Sequence, residues 1–182
     1  MKLKSPIGLN PAGSGPRIFR FAVPSLLAGI IAGLSVPDFT HFPFAPSDIL
    51  VVAGWMLIAA GTIVYAASII QFVKGFTKGR LVTTGVYRYS RNPIYSCWIL
   101  FLFPGISLAS NNWIFMLSSL MLYVAISKFI GDEEQKLLQL FGKEYELYKK
   151  GTGRILSIPG RFLTEKKLFN NTAFNNNIPL NK

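Results

Sequence analysis

The sequence predicts an all-α integral membrane protein with about four transmembrane helices, a tight C-terminal helical hairpin and cytoplasmic amphipathic helices. Three observations carry this reading. Of the 182 residues, 51% are hydrophobic and only 15% are charged, against about 25% charged in an average soluble domain, and the mean hydropathy is +0.39. The apolar residues gather into four runs, each near the roughly 20 residues that a helix needs to cross about 30 Å of hydrocarbon. All 19 Lys and Arg residues fall on one side of those runs. The same composition excludes disorder over most of the chain. A single cysteine, Cys97, and a single histidine, His41, exclude an intramolecular disulfide, a Cys-based zinc cluster and a His-rich metal site.

The elements follow in order. Residues 1–17 form a basic leader that holds Lys2, Lys4 and Arg17. The first apolar run extends from Ile18 to Val36, with Arg17 and Arg20 placed to snorkel at its front and Pro37 to end it. Nothing like an A-x-A cleavage site follows Gly33-Leu34-Ser35, so the run reads as a span rather than a signal peptide. The segment from Pro37 to Asp48 has no Lys or Arg. Its stretch Phe39–Phe44, with prolines and an ordinary exposed His41, reads as a short external connection. The second run, Ile49 to Phe72, carries no charge. The third, Tyr95 to Ser110, is short and contains Pro104-Gly105, which predicts a kink or tilt. Only Ser110, Asn111 and Asn112 separate it from the fourth, Trp113 to Ile130, hence the hairpin.

Charge sets the orientation. Four basic residues precede or open the first run, five (Lys74, Lys78, Arg80, Arg88 and Arg91) lie in the loop from Val73 to Asn92, and ten follow from Lys128 onward. By the positive-inside rule both termini and that loop are cytoplasmic, in a bacterial-type inner membrane or the endoplasmic reticulum. An anionic inner leaflet accounts for the net charge of +11 without nucleic acid as a partner. Residues 155–182 read as a flexible tail, rich in Asn from Asn170. The sequon Asn170-Asn171-Thr172 has no meaning on the cytoplasmic side.

Two cytoplasmic segments hold the chemistry. Gly79 to Tyr95 leads into the third run and Asp132 to Tyr145 leaves the fourth, so the hairpin brings them together. Gly85 suits a positive-φ turn. Pro93 suits the first turn of a helix, with Asn92 at the cap position, and such a start offers N–H groups to a ligand carboxylate. Tyr87, Tyr89 and Tyr95 supply flat faces for a purine or a cation. Glu133 and Glu134 bring negative charge to a positive face. Together these suit a ligand that is aromatic, cationic and zwitterionic. The same residues also suit a plain aromatic and basic anchor, followed by an amphipathic helix paired to Lys136 or Lys143.

The pattern Leu81-Val82-x-x-Gly85-x-Tyr87, then Arg91-Asn92-Pro93-x-Tyr95, then Glu133-Glu134-x-x-Leu137-x-x-x-Phe141-Gly142-x-x-Tyr145-x-x-Tyr148 resembles the isoprenylcysteine carboxyl methyltransferase and phospholipid methyltransferase superfamily. The resemblance covers roughly Phe72 to Arg154 and implies an integral membrane enzyme using S-adenosyl-L-methionine. It makes residues 73–154 the methyltransferase core (cofactor loop, hairpin and cytoplasmic helix), following the two spans of 18–72. It implies that Gly79, Arg80, Leu81 and Val82 line the cofactor and that Tyr87 packs near the adenosine. Asn92, Pro93, Ile94 and Tyr95 would surround the nucleoside and methionine portions. Arg91 would hold the helix start or a carboxylate, and Glu133 the ammonium group, with Glu134 as neighbour or substitute. No catalytic residue is assigned. The implied partners are the bilayer and a lipophilic methyl acceptor, either an isoprenylcysteine carboxylate, a lipid amine or a small apolar nucleophile.

The chain departs from the family at two places. Asn92 stands where many of the carboxyl methyltransferases have His, and Phe129 aligns with the arginine expected to hold a prenylcysteine carboxylate. The membrane NADPH-dependent sterol-type reductases, which carry an Arg-His-Pro-x-Tyr element, are a rival class, but Asn92 and Ser96-Cys97-Trp98 do not fit them. A non-catalytic membrane scaffold is the third reading, and cofactor binding separates all three.

The charge pattern makes a topological prediction. A reporter placed at Phe42 or Asn111 is expected on the external side, and one at Lys78 or Lys143 on the cytoplasmic side. Accessibility labelling of single cysteines in intact membranes checks this, and an external Lys78 would overturn the orientation.

Overall fold

The computed structural model describes residues 14–43 and 46–157. The leader before Ser14, Phe44 of the external connection, and the tail from residue 158 lie outside them. The described residues are helical with connecting turns. The principal helices are α1 (Gly15–Ser35), α2 (Ser47–Thr77), α3 (Pro93–Ala109), α4 (Trp113–Phe129), α5 (Gly131–Phe141) and α6 (Lys143–Gly151). Helices α1 and α2 are each long and apolar enough to cross a membrane. Helices α4 and α5 meet that test only as a pair bent by 47°, and α3 is a shorter apolar helix. The fold is thus all-helical with two or three membrane-capable helices. Leu27, Ile31 and Leu34 on α1 and Val52, Trp55 and Met56 on α2 are exposed, an apolar surface too extensive for a water-soluble monomer.

Local chemistry explains the breaks. The helical path of α1 is interrupted at Phe21 and Ala22, just before Pro24, which has no N–H to donate and crowds the turn behind it. Helix α2 runs past the predicted end at Phe72 as far as Thr77. Nothing in Val73–Thr77 stops it, Lys74 suits the negative end of the helix dipole, and termination waits for Gly79 at φ +61°. Helix α3 contains a π-turn over Trp98–Leu102, next to Pro104, where a regular hydrogen bond is impossible. A single 3-10 turn, Trp113–Phe115, opens α4, and the Asn112 side chain accepts a hydrogen bond from Ile114 N there.

Small residues set the distance between α2 and its neighbours. Gly54, Gly61, Ser68 and Gly75 recur every seventh position on α2 and all are buried. Such residues let helix backbones approach closely, which is how apolar helices associate in lipid. A Cβ on Gly54 would lie 2.3 Å from Ala109 N and 2.7 Å from Gly105 O, and one on Gly61 would meet Phe101 and Leu102 of α3. At the C-terminal end of α2, a Cβ on Gly75 would strike Val82 at 2.1 Å, so this glycine lets the following loop fold back on the helix. Across the bundle, α1, α3 and α4 share a core of Ile18, Ala22, Phe103, Leu122, Ala125 and Ile126.

Gly54→Val is therefore expected to destabilise the protein by about 1–3 kcal/mol, the usual cost of overpacking a tight contact, and to lower the unfolding temperature in detergent. Gly131→Ala, which meets no atom within 4 Å, is expected to leave that temperature unchanged or slightly raised.

Candidate active site

The turn after α2 builds one wall of a cavity. Arg80 N donates to Gly75 O at 3.0 Å, closing the helix end, and Val82 settles against Gly75. Gly85, at φ +61°, approaches Gln71 so closely that a Cβ would lie 2.3 Å from its Oε1. That oxygen accepts a hydrogen bond from Val86 N at 3.2 Å. The 3-10 turn Gly85–Arg88 then turns Tyr87 inward, where it is buried. Tyr148 Oη of α6 donates to Tyr87 O at 2.6 Å, fixing the turn from the other side.

The next residues are tied to the chain beyond α6. Arg91 N donates to Gly153 O at 2.9 Å, and Ser90 Oγ to Arg154 O at 2.9 Å. Asn92 occupies the cap position of α3, but its side chain caps nothing; its Nδ2 donates instead to Arg154 O at 3.2 Å. Ser157 N donates to Tyr89 O at 2.8 Å. The first residues of the predicted tail are thus bound against the site.

The result is a cavity of about 570 Å³ between the loop, the start of α3 and the start of α5. Eleven of the twelve residues singled out from the sequence line it: Gly79, Arg80, Leu81, Val82, Tyr87, Arg91, Asn92, Pro93, Ile94, Tyr95 and Glu133. Sequence reasoning missed the contribution of the start of α1, where Ser14 at the cap and Gly15, Arg17 and Phe19 of the helix also line it. Phe19 lies against Tyr95, ring centroids 5.9 Å apart. Ser14 N and Ser14 Oγ both donate to Glu133 Oε1. Ile69, Phe72 and Phe76 of α2, Asp132, Lys136, Leu137 and Phe141 of α5 and Tyr145 and Tyr148 of α6 complete the walls; Leu137, Phe141, Tyr145 and Tyr148 belong to the pattern read from the sequence, and no local pattern announces the contribution of α2.

Glu134 is the twelfth, and it does not line the cavity. It is 4% exposed, and its carboxylate meets Arg91 Nη2 at 3.1 Å, Arg154 Nε at 3.0 Å and Lys149 Nζ at 3.3 Å. Glu133 and Glu134 are neighbours on α5, about 100° apart around the helix; Glu133 faces the cavity while the Glu134 carboxylate is taken up by these three cations. Nor do Lys136 and Lys143 pair with Glu134, as an isolated amphipathic helix would suggest. Burial pushes the Glu134 carboxyl up, but the Arg154 hydrogen bonds and the charges of Arg91, Arg154 and Lys149 outweigh it and hold it below the usual carboxylate range. Burial, with the charge of Glu134, pushes the Tyr145 phenol up to about 12. Burial raises Tyr87 and Tyr148 as well. All three phenols are neutral at physiological pH.

The cavity joins opposite charges to aromatic walls. Glu133 has hydrogen bonds from Ser14 but no cation within ion-pair distance among the described residues. Arg91 lines the same space, and its buried Nε makes no hydrogen bond among the described residues. A carboxylate without a cation and a guanidinium with an unused donor suit the ammonium and carboxylate of a free amino acid. The tyrosine and phenylalanine faces suit an adenine.

A sequence profile of phospholipid methyltransferases matches residues 48–144, more than half of the chain. The chain belongs to the phospholipid methyltransferase family. It is also similar to two proteins named protein-S-isoprenylcysteine O-methyltransferase. It is 34% identical to the one from Dictyostelium discoideum over 87 residues, covering 44% of this chain and 33% of that protein. It is 37% identical to the one from Schizosaccharomyces pombe over 70 residues, covering 38% of this chain and 30% of that protein. The chain thus spans about a third of the length of these relatives. No solved structure matches it. Within the family profile lie all eleven predicted residues of the cavity; Lys149 and Arg154, which hold Glu134, lie beyond it.

Removing the Glu134 charge strands three cations, one of them buried. Glu134→Gln is therefore expected to cost about 3 kcal/mol, the lower end for breaking a buried pair. The sign with pH follows from the depressed folded-state pKa. The stabilisation is complete above the unfolded carboxylate pKa of about 4.3 and is lost as pH falls through the lower folded value. Thermal unfolding measured across acidic pH should show this loss in the unaltered protein and not in Glu134→Gln.

Proposed function

We propose that this chain is a membrane methyltransferase that takes its methyl group from S-adenosyl-L-methionine and passes it to a lipophilic acceptor at the cytoplasmic face. One observation carries the reading: two segments about forty residues apart, each bearing part of the methyltransferase pattern, close on one cavity with a carboxylate that has no cation and an arginine that keeps unused donors among the described residues. Family membership supplies the reaction class. In this reading Glu133 holds the cofactor's ammonium group and Arg91 its carboxylate, while Tyr87 and Tyr95 pack on the nucleoside. Leu81, Val82 and Ile94 form apolar wall, and Gly79 and Pro93 leave space for it. When bound, the sulfonium supplies an electrophilic methyl carbon. The protein's part is to exclude water and align the acceptor.

The membrane arrangement is part of the proposal. The chain crosses four times, with α3 and α4 as a hairpin whose cytoplasmic ends carry the two motifs. The short α3 is accommodated by local thinning of the bilayer. Because the cavity lies where α3 begins and α4 ends, an acceptor with a hydrocarbon tail reaches it laterally through lipid. The acceptor classes are an isoprenylcysteine carboxylate, as in the names of the two relatives, a lipid amine or a small apolar nucleophile.

Calorimetry on the full chain in detergent or nanodiscs tests the cofactor site. Saturable S-adenosyl-L-methionine binding is expected, weakened at least about tenfold by Glu133→Ala or Tyr95→Ala, as the loss of about 1.4 kcal/mol requires. Glu144→Ala, outside the cavity, should bind like the unaltered protein. Binding of NADPH instead, or of neither, would overturn the reading.

A further inference from the structure

A second cavity, of about 730 Å³, lies between α1 and α4 and is lined by Arg17, Arg20, Phe21, Pro24, Met121 and Phe129. Its composition divides sharply. The two arginines stand at the cytoplasmic end of α1, and the other four side chains form an apolar trough below them. Phe21 and Phe129 meet with ring centroids 5.0 Å apart. Phe21 and Met121 are 43% and 41% exposed, so the trough opens on the outer surface of the bundle, where lipid lies in the proposed arrangement. Ser25, also on its wall, spends its hydroxyl on Ala22 O and Ser118.

The charge at the head of the trough is one-sided. Lys128 Nζ sits 5.6 Å from the centre of the Phe129 ring, adding a third cation. No carboxylate comes within ion-pair distance of Arg17, Arg20 or Lys128 among the described residues. Arg20 Nε donates only to Pro16 O of its own helix, at 3.3 Å. Three cations without an acidic partner above an apolar trough match an amphiphile whose head is an anion. The trough also adjoins the active-site cavity, because Arg17 lines both.

We infer that this trough is the acceptor side of the enzyme, a binding site for an anionic amphiphile. The hydrocarbon chain lies against Phe21, Pro24, Met121 and Phe129, and the acidic group lies against Arg17 and Arg20. That arrangement puts the head of the bound molecule beside the boundary with the cofactor cavity. Its assignment as acceptor side rests on the methyl-transfer reading; the anionic-amphiphile site does not. Carboxylate and phosphate share the recognised chemistry, so a prenylated carboxylate and a phospholipid are both admissible sources.

The test uses the full chain in phosphatidylcholine nanodiscs and three probes with the same photoreactive alkyl chain, ending in a carboxylate, a phosphate or an alcohol. Saturable labelling of the Phe21–Pro24 and Met121–Phe129 segments is expected for the two acids, about tenfold stronger than for the alcohol. The stronger acid identifies the source. Arg17→Gln with Arg20→Gln should cut acid labelling about tenfold, equivalent to about 1.4 kcal/mol. Arg20→Gln alone should cut it by less and leave S-adenosyl-L-methionine binding unchanged. Lys143→Gln should affect neither. Equal labelling by acid and alcohol, or acid labelling indifferent to the arginine substitutions, overturns the inference. Acid labelling without S-adenosyl-L-methionine binding would retain the lipid site and overturn the methyl-transfer reading, and the converse would overturn the site alone.

Discussion

A carboxylate withdrawn from water costs several kcal/mol unless cations and hydrogen bonds replace the solvent. Glu134 is in that position, and the half of the molecule that holds the cavity is arranged around its needs. Its three partners come from three places: Arg91 before α3, Lys149 on α6 and Arg154 beyond it. Satisfying one buried charge therefore gathers the loop, the last helix and the following segment at one point. The backbone follows, with Arg154 O accepting from Ser90 and Asn92 and Gly153 O from Arg91. It also fixes the rotation of α5: with Glu134 turned inward to the cations, Glu133 is left at the cavity.

The apolar half contributes by its steric economy. Glycine and serine at every seventh position of α2 bring α3 into backbone contact near Gly54 and let the loop fold onto Gly75. One row of small residues thus determines both how the helices pack and where the ligand wall stands. Its four positions span the helix from the Ala109 contact to the Val82 contact, so the site is referenced to the membrane bundle rather than hung from it.

Much of this was legible in the sequence, and the limits have physical causes. Hydrophobic runs and the placement of Lys and Arg follow from local composition, so the helices and the spacing of the two motifs could be read directly. The apolar run ends at Phe72, just ahead of Lys74, but a charged residue does not stop a helix, which continues to Thr77 and ends before Gly79. Glu133 and Glu134 look alike in one dimension. Only the arrival of Arg91, Lys149 and Arg154 distinguishes them, and those contacts join residues far apart in the chain. Ser14 and Phe19 were invisible for the same reason: nothing in a basic leader indicates that its helix passes over Glu133 and Tyr95.

The π-turn in α3 has a bearing on how the length of this helix can vary. A π-turn holds one residue more than the α-turn it replaces, and one residue is about 100° of rotation. The Pro93–Tyr95 end, facing the cavity, and the Gly105 end, facing Gly54, are therefore in phase only because the extra residue is present. Losing one residue from Trp98–Leu102 would restore an ordinary helix and turn one of those ends out of register. Insertions and deletions in this short stretch are thus far less tolerable than its unremarkable apolar composition suggests.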